Sequence, residues 1–243
     1  MKKLLKLITN NIIITTIIFL TYLIILFNII LAVIYTIASV YIIAIYTHKK
    51  YQLKKERNLD FQINSFIKNM AINSLANNFN IIDSVEKSAD FIEGKFKKDL
   101  YILNEEIKID YDYDKAFMNL GIKYKKNIIL KEFLENILII KEQSNVEESA
   151  KKIFEIASKD SQKYIVRKDR IQMVKEANFK NYLINVALGY IVSILIVISL
   201  NSYYIVYAKK LDGIILNSSM IILIMFITLK FINEVYKGVD NEI

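Results

Sequence analysis

Between Lys6 and His48 the chain carries no charged side chain, and the uncharged stretch Leu7–Tyr46 covers 40 positions. A helix crossing a bilayer needs about 20 apolar residues, so this stretch is long enough for two crossings joined by a turn. The turn is expected near Asn28, the polar residue closest to the middle, because its backbone groups need water or side-chain partners that hydrocarbon does not offer. Lys2, Lys3 and Lys6 precede the stretch, and Lys49, Lys50, Lys54, Lys55 and Arg57 follow it. Basic flanks favour the cytoplasmic side, so both ends of the hairpin are expected there. A secretory signal peptide has an apolar region of only about 7–15 residues, which this segment far exceeds.

The other end of the chain repeats the pattern. Asn181 to Ala208 is uncharged, Lys209, Lys210 and Asp212 interrupt it, and Gly213 to Leu229 gives a further run of 17 uncharged residues. With Lys230 reaching toward the interface, that run is long enough for a fourth crossing. Four spans are expected, both termini cytoplasmic, with Lys209 and Lys210 on the outer side. The 26 basic residues of segment 48–180 outweigh those two in setting the orientation. The expected organisation is an N-terminal transmembrane hairpin (1–47), a cytoplasmic helical domain (48–180), and a C-terminal hairpin with a short tail (181–243).

Composition narrows the fold to helices. An average chain of this length has about a dozen prolines, whereas this one has none and only 5 glycines. With no cysteine and one histidine, disulfide scaffolds, cysteine-based zinc sites, thiol nucleophiles and a standard Ser-His-Asp triad are excluded. The net charge of +8 comes almost wholly from lysine, with arginine only at Arg57, Arg167 and Arg170. Guanidinium forks favoured for nucleic-acid recognition are therefore scarce, and no nucleic-acid partner is expected.

Within 48–180 the apolar residues recur at helical spacing. Leu59, Ile63, Phe66, Ile67, Met70 and Leu75 form one stripe; Ile129, Leu130, Phe133, Leu134, Ile137, Leu138 and Ile140 form another, opposite Lys131, Glu132, Glu135 and Asn136. Breaks fall at Asn77–Asn80, around Gly94, at Asp110–Asp114, between Gly121 and Asn127, and at Ser144–Asn145, dividing the segment into about six helices. At the last break Asn145 and Glu148 form a capping box, with Val146, Ala150, Ile153, Phe154 and Ala157 as the buried stripe beyond it. No breaker follows before the third span, so one helix is expected to join the soluble domain to the membrane. The fold class is thus an all-α integral membrane protein, with four transmembrane helices and a cytoplasmic bundle of about six helices between spans 2 and 3.

Catalytic chemistry finds no foothold. Asp110, Asp112 and Asp114 alternate like the start of a calcium-binding loop, but Lys115 stands where that loop needs glycine and Gly121 where it needs a bidentate glutamate. The three carboxylates read as a helix N-terminus, and no metal is assigned. There is no glycine-rich phosphate loop, and His48 has no companion ligand. No catalytic or cofactor-binding residue is assigned, no cofactor is expected, and the chain is not expected to be an enzyme. The spans contain no Asp, Glu or Arg, which disfavours a transporter subunit. The candidate partner-binding residues are two basic clusters, Lys123, Lys125 and Lys126, and Lys163, Arg167 and Lys168, suited to an acidic protein or to anionic membrane lipid.

The order of parts, with Asn80–Val85, Asp112–Phe117 and Gln143–Ala150 each placing a polar cap before a short apolar-patterned helix, resembles the type II secretion system F-domain family in its single-domain TadB/TadC-like form. Asn occupies turn positions where family members carry Gly, and Asn also enters the left-handed region. The resemblance covers residues 59–236. It implies an inner-membrane platform protein of a Tad-type pilus or type II-like secretion machine, located in the cell membrane, that couples a cytoplasmic ATPase to pilin extraction and assembly. The partners it implies are a hexameric secretion ATPase, a second F-domain platform protein or further copies of this chain, and pilin subunits. The alternatives are a membrane transporter subunit, or a signalling or immunity membrane protein whose helical middle binds a soluble partner.

Overall fold

The computed structural model describes residues 12–77, 80–110, 112–141 and 146–237. Every regular element among them is helical: α1 (Ile12–Leu26), α2 (Ile29–Ala76), α3 (Ile81–Asp90), α4 (Gly94–Asp110), α5 (Tyr113–Lys123), α6 (Ile128–Lys141), α7 (Val146–Lys209) and α8 (Leu211–Val235). Three of them, α2, α7 and α8, contain apolar segments long enough to cross a membrane, the mark of a multi-pass membrane protein. Four such helices were expected. α1 is apolar but only 15 residues long over its described extent, short of the roughly 20 a crossing takes.

Helix boundaries follow the breaks in the sequence pattern. Asn80 caps α3, its side chain accepting from the Asp83 amide at 3.3 Å, and Asp112 caps α5 by accepting from the Lys115 amide at 3.0 Å. Asn127 does the same for α6, accepting from the Leu130 amide at 2.8 Å. These side chains satisfy amides that have no partner in the first turn of a helix. The capping box expected at Asn145 lies outside the described residues, as do the basic residues before Leu7.

The chain divides into two compact units, one formed by residues 12–53 and 172–237, the other by Lys54–Ile171. In the first, α1 and α2 are separated by Phe27 and Asn28, where the hairpin turn was expected. Phe27 adopts the left-handed region at φ 47°, and the Asn28 side chain accepts from the amides of Ile30 and Leu31 at 3.0 and 3.2 Å. The Ile25 carbonyl, freed as α1 ends, accepts from the Tyr204 hydroxyl at 2.9 Å and the Asn217 amide at 3.2 Å. Polar side chains of α7 and α8 thus serve the backbone of the turn, as an apolar surrounding requires. Elsewhere in this unit Ile42, Phe179, Ile232 and Val235 form a buried cluster, with Tyr182 and Phe231 stacked 4.7 Å apart beside it.

The second unit has its own core. Phe66 of α2 meets Phe96 of α4 and Phe133 of α6 edge to face, with ring centroids 5.8 and 6.0 Å apart, and Phe133 packs on Phe154 of α7. Ile63, Ile67 and Met70 are buried with them, whereas Leu75, expected on the same stripe, is exposed. The unit is narrower than the 48–180 expected from charge, because packing does not change where charge begins. Leu53 and Phe179, both beyond the first charged residues, are buried in the other unit. Both α2 and α7 remain helical across the division, with lengths of 48 and 64 residues. Continuity was expected for α7. For α2 it was not.

Candidate functional site

The two basic clusters were expected to act as surfaces, but the structure gives their members different work. Lys123, at the end of α5, pairs with Asp99 of α4 at 2.8 Å, and the neighbouring Tyr124 hydroxyl donates to the same carboxylate at 2.6 Å. The Asp99 side chain is only 5% exposed. Lys168 of α7 is buried; its ammonium lies 2.9 Å from Asp60 of α2 and 5.5 Å from the ring of Tyr164. Asn127 closes this group by donating to Asp60 at 2.9 Å. Lys163 is exposed and 3.5 Å from Asp160. Arg167, Lys125 and Lys126 are exposed, and none of the three forms an ion pair among the described residues.

Members of both clusters meet. Lys123, Lys126 and Lys168 line one cleft of about 210 Å³, with Glu56, Leu59, Asp60, Tyr124 and Asn127 as its other walls. Lys125 instead borders a separate groove between α5 and α6, and Lys163 and Arg167 line neither. The cleft is a polar joint: Asp60 gathers Lys168 from α7 and Asn127 from the α5–α6 turn onto α2, while Asp99 anchors the same turn to α4. Two of the six candidate residues, Lys123 and Lys168, therefore hold the fold, and the free basic charge lies at Lys125, Lys126 and Arg167.

Electrostatics at Asp99 follow from this geometry. Burial by itself would raise its carboxyl, but the Lys123 ammonium and the Tyr124 hydroxyl outweigh burial and hold it below its ordinary 3.8. The Tyr124 hydroxyl moves up, through burial first and its hydrogen bond to Asp99 second. A carboxyl whose folded pKa is lowered contributes stability that is complete above its unfolded value and disappears as pH falls through the folded one. Between pH of about 5 and about 2, Asp99→Asn is accordingly expected to lose less stability than the parent protein, measured as the shift in its unfolding midpoint. Equal losses in both proteins would show that the Asp99 charge does not contribute.

Of the three carboxylates read as a helix N-terminus, Asp112 and Asp114 stand at the start of α5, whereas Asp110 is the last residue of α4. Asp112 is the cap, Asp110 lies 3.6 Å from the Lys115 ammonium, and Asp114 sits in the first turn. His48 is paired through its ring with Gln52 at 2.9 Å, one turn along α2. Asp60 and Asp99 went unremarked in the sequence, and Asn127 was read only as the end of a helix break. Asp60 carried a signal, lying next to Leu59 and three before Ile63 at the edge of the apolar stripe. Asp99 carried none beyond its place before buried Leu100.

No family model matches the chain, and no curated protein or solved structure matches it.

Proposed function

We propose that this chain is a platform protein in the cell membrane, coupling a cytoplasmic secretion ATPase to the extraction and assembly of pilin-like subunits in a Tad-type pilus or type II-like secretion machine. The observation that carries the reading is the way α2 and α7 each run unbroken from a membrane-length apolar segment into the Lys54–Ile171 unit. A part that passes motion from a soluble motor to the membrane needs such unbroken elements, because a helix carries displacement along its axis where a loop absorbs it. In this reading α1 is the first of four spans, since the uncharged sequence before the Phe27–Asn28 turn begins at Leu7. The helical unit and both termini face the cytoplasm, in line with the 26 basic residues of segment 48–180. Further copies of this chain or a second platform protein would complete the assembly.

The test is capture of the tagged full-length protein from its native host in mild detergent, with mass spectrometry of what co-purifies. Recovery of a secretion ATPase or a second protein with the same order of spans is the expected result. Reversing charge at Lys125, Lys126 and Arg167 together should reduce ATPase recovery without changing membrane insertion. Recovery of a solute-binding or signalling protein in place of both would overturn the platform reading.

A further inference from the structure

A groove of about 280 Å³ runs between α5 and α6, with Phe117, Gly121 and Leu134 along its floor and Met118 and Ile122 on one wall. We propose that this groove docks an amphipathic helix of a protein partner, with apolar side chains at i and i+4 entering between α5 and α6 and acidic residues at the end that lies against Lys125. The inference goes beyond the platform reading and holds for any role in which the unit meets a soluble protein.

Ala116, Phe117 and Leu120 already supply the buried stripe of α5, yet Met118 and Ile122, one turn apart on a different face, are 62% and 64% exposed. Across the groove, Leu138 is only partly buried. Two open apolar positions a turn apart give a strip of apolar surface along the groove, the kind of surface that takes the apolar face of an amphipathic helix. The other recognition mode that relies on backbone pairing needs a sheet edge, and no strand occurs among the described residues.

Gly121 gives a second observation. Glycine within a helix is less favourable than alanine. The fold does not ask for it: its backbone is not left-handed, and a β-carbon there would meet only a methyl of Leu134 at 3.9 Å, an ordinary contact. The room its missing side chain leaves is room in the groove floor.

Charge sets the polarity of the partner. Lys131 and Glu135 on the α6 wall lie 3.6 Å apart and offset each other, while Lys125, bordering the groove, has no ion pair among the described residues. An unpaired ammonium group there favours carboxylates or the carbonyl end of a helix beside it, and repels a basic segment.

The experiment uses the full chain in phosphatidylcholine nanodiscs and two fluorescent alanine-based helical peptides with leucines at i and i+4, one ending in glutamates and the other in lysines. Anisotropy should show binding of the acidic-ended peptide and at least about tenfold weaker binding of the basic-ended one. Lys125→Glu should reverse that order. Gly121→Ala should weaken the acidic-ended peptide while leaving the unfolding midpoint unchanged or raised, a combination that general damage to the fold does not produce. Equal binding of the two peptides, or binding of neither, would overturn the proposal. So would a drop in oligomeric mass on Gly121→Ala without a change in peptide affinity, since that would make a second copy of the chain the occupant.

Discussion

Replacing Gly213 by alanine is expected to prevent α7 and α8 from closing their turn. Lys210 alone separates the two helices, so the first turn of α8 presses on the last turn of α7. A β-carbon at Gly213 would overlap the Tyr207 carbonyl oxygen and lie 2.9 Å from its carbon and 3.1 Å from the Ala208 α-carbon. Each obstacle is backbone, which cannot swing away as a side chain can. Overpacking of a well-filled core typically costs about 1–3 kcal/mol, and backbone against backbone belongs at or above the top of that range. Gly189, also within α7, is the control, because a β-carbon there meets nothing within 4 Å. Gly189→Ala should leave the yield and unfolding midpoint of the purified protein intact, and Gly213→Ala should lower both. If the two variants behave alike, the close turn at Lys210 is wrong.

The second large effect is expected at Asp60. Its carboxylate holds Lys168 at 2.9 Å and Asn127 at 2.9 Å, and the Lys168 and Asp60 side chains are only 10% and 13% exposed. Removing one member of a buried ion pair commonly costs about 3–5 kcal/mol, because the remaining charge stays out of water without its counter-charge. Asp60→Ala is therefore expected to destabilise the Lys54–Ile171 unit by that amount, read as a shift in its denaturant midpoint. Removing both charges, as Asp60→Leu with Lys168→Met, should recover most of the loss. Arg57 and Asp169 join the same two helices at 2.7 Å, but at 31% and 26% exposure. Breaking that pair should cost no more than about 1 kcal/mol. A loss at Asp60 no greater than at Asp169 would mean that the cleft is hydrated and its ion pair is not buried.

Much of the architecture is legible in the sequence, because uncharged length and helical periodicity are strong signals. The turn at Asn28, the end of α7 at Lys209, and the helix starts after Asn80 and Asp112 all follow from polar residues interrupting apolar runs. What stays hidden depends on contacts between distant residues. No local signal tells that Lys123 and Lys168, which look like solvated charges, are held by Asp99 and Asp60 from other helices. The continuity of α2 is obscured for a related reason: a switch from apolar to charged residues at His48 resembles a boundary, yet lysines are good helix formers and nothing there stops the helix. Met118 and Ile122 did carry a sign of the groove, as apolar residues off the buried stripe of α5.

The arrangement on which the functional proposal depends, with four crossings and the Lys54–Ile171 unit inside the cell, has a direct test. The chain contains no cysteine, so single cysteines report their own accessibility without background. Exposed Lys98, Lys210 and Lys237 would each be replaced in turn and treated in intact cells with a membrane-impermeant maleimide. Lys210→Cys should label at once, and Lys98→Cys and Lys237→Cys only after the membrane is permeabilised. Labelling of Lys98→Cys in intact cells, or protection of Lys210→Cys, would contradict it and place the helical unit where no cytoplasmic motor could reach it or leave α7 short of a crossing.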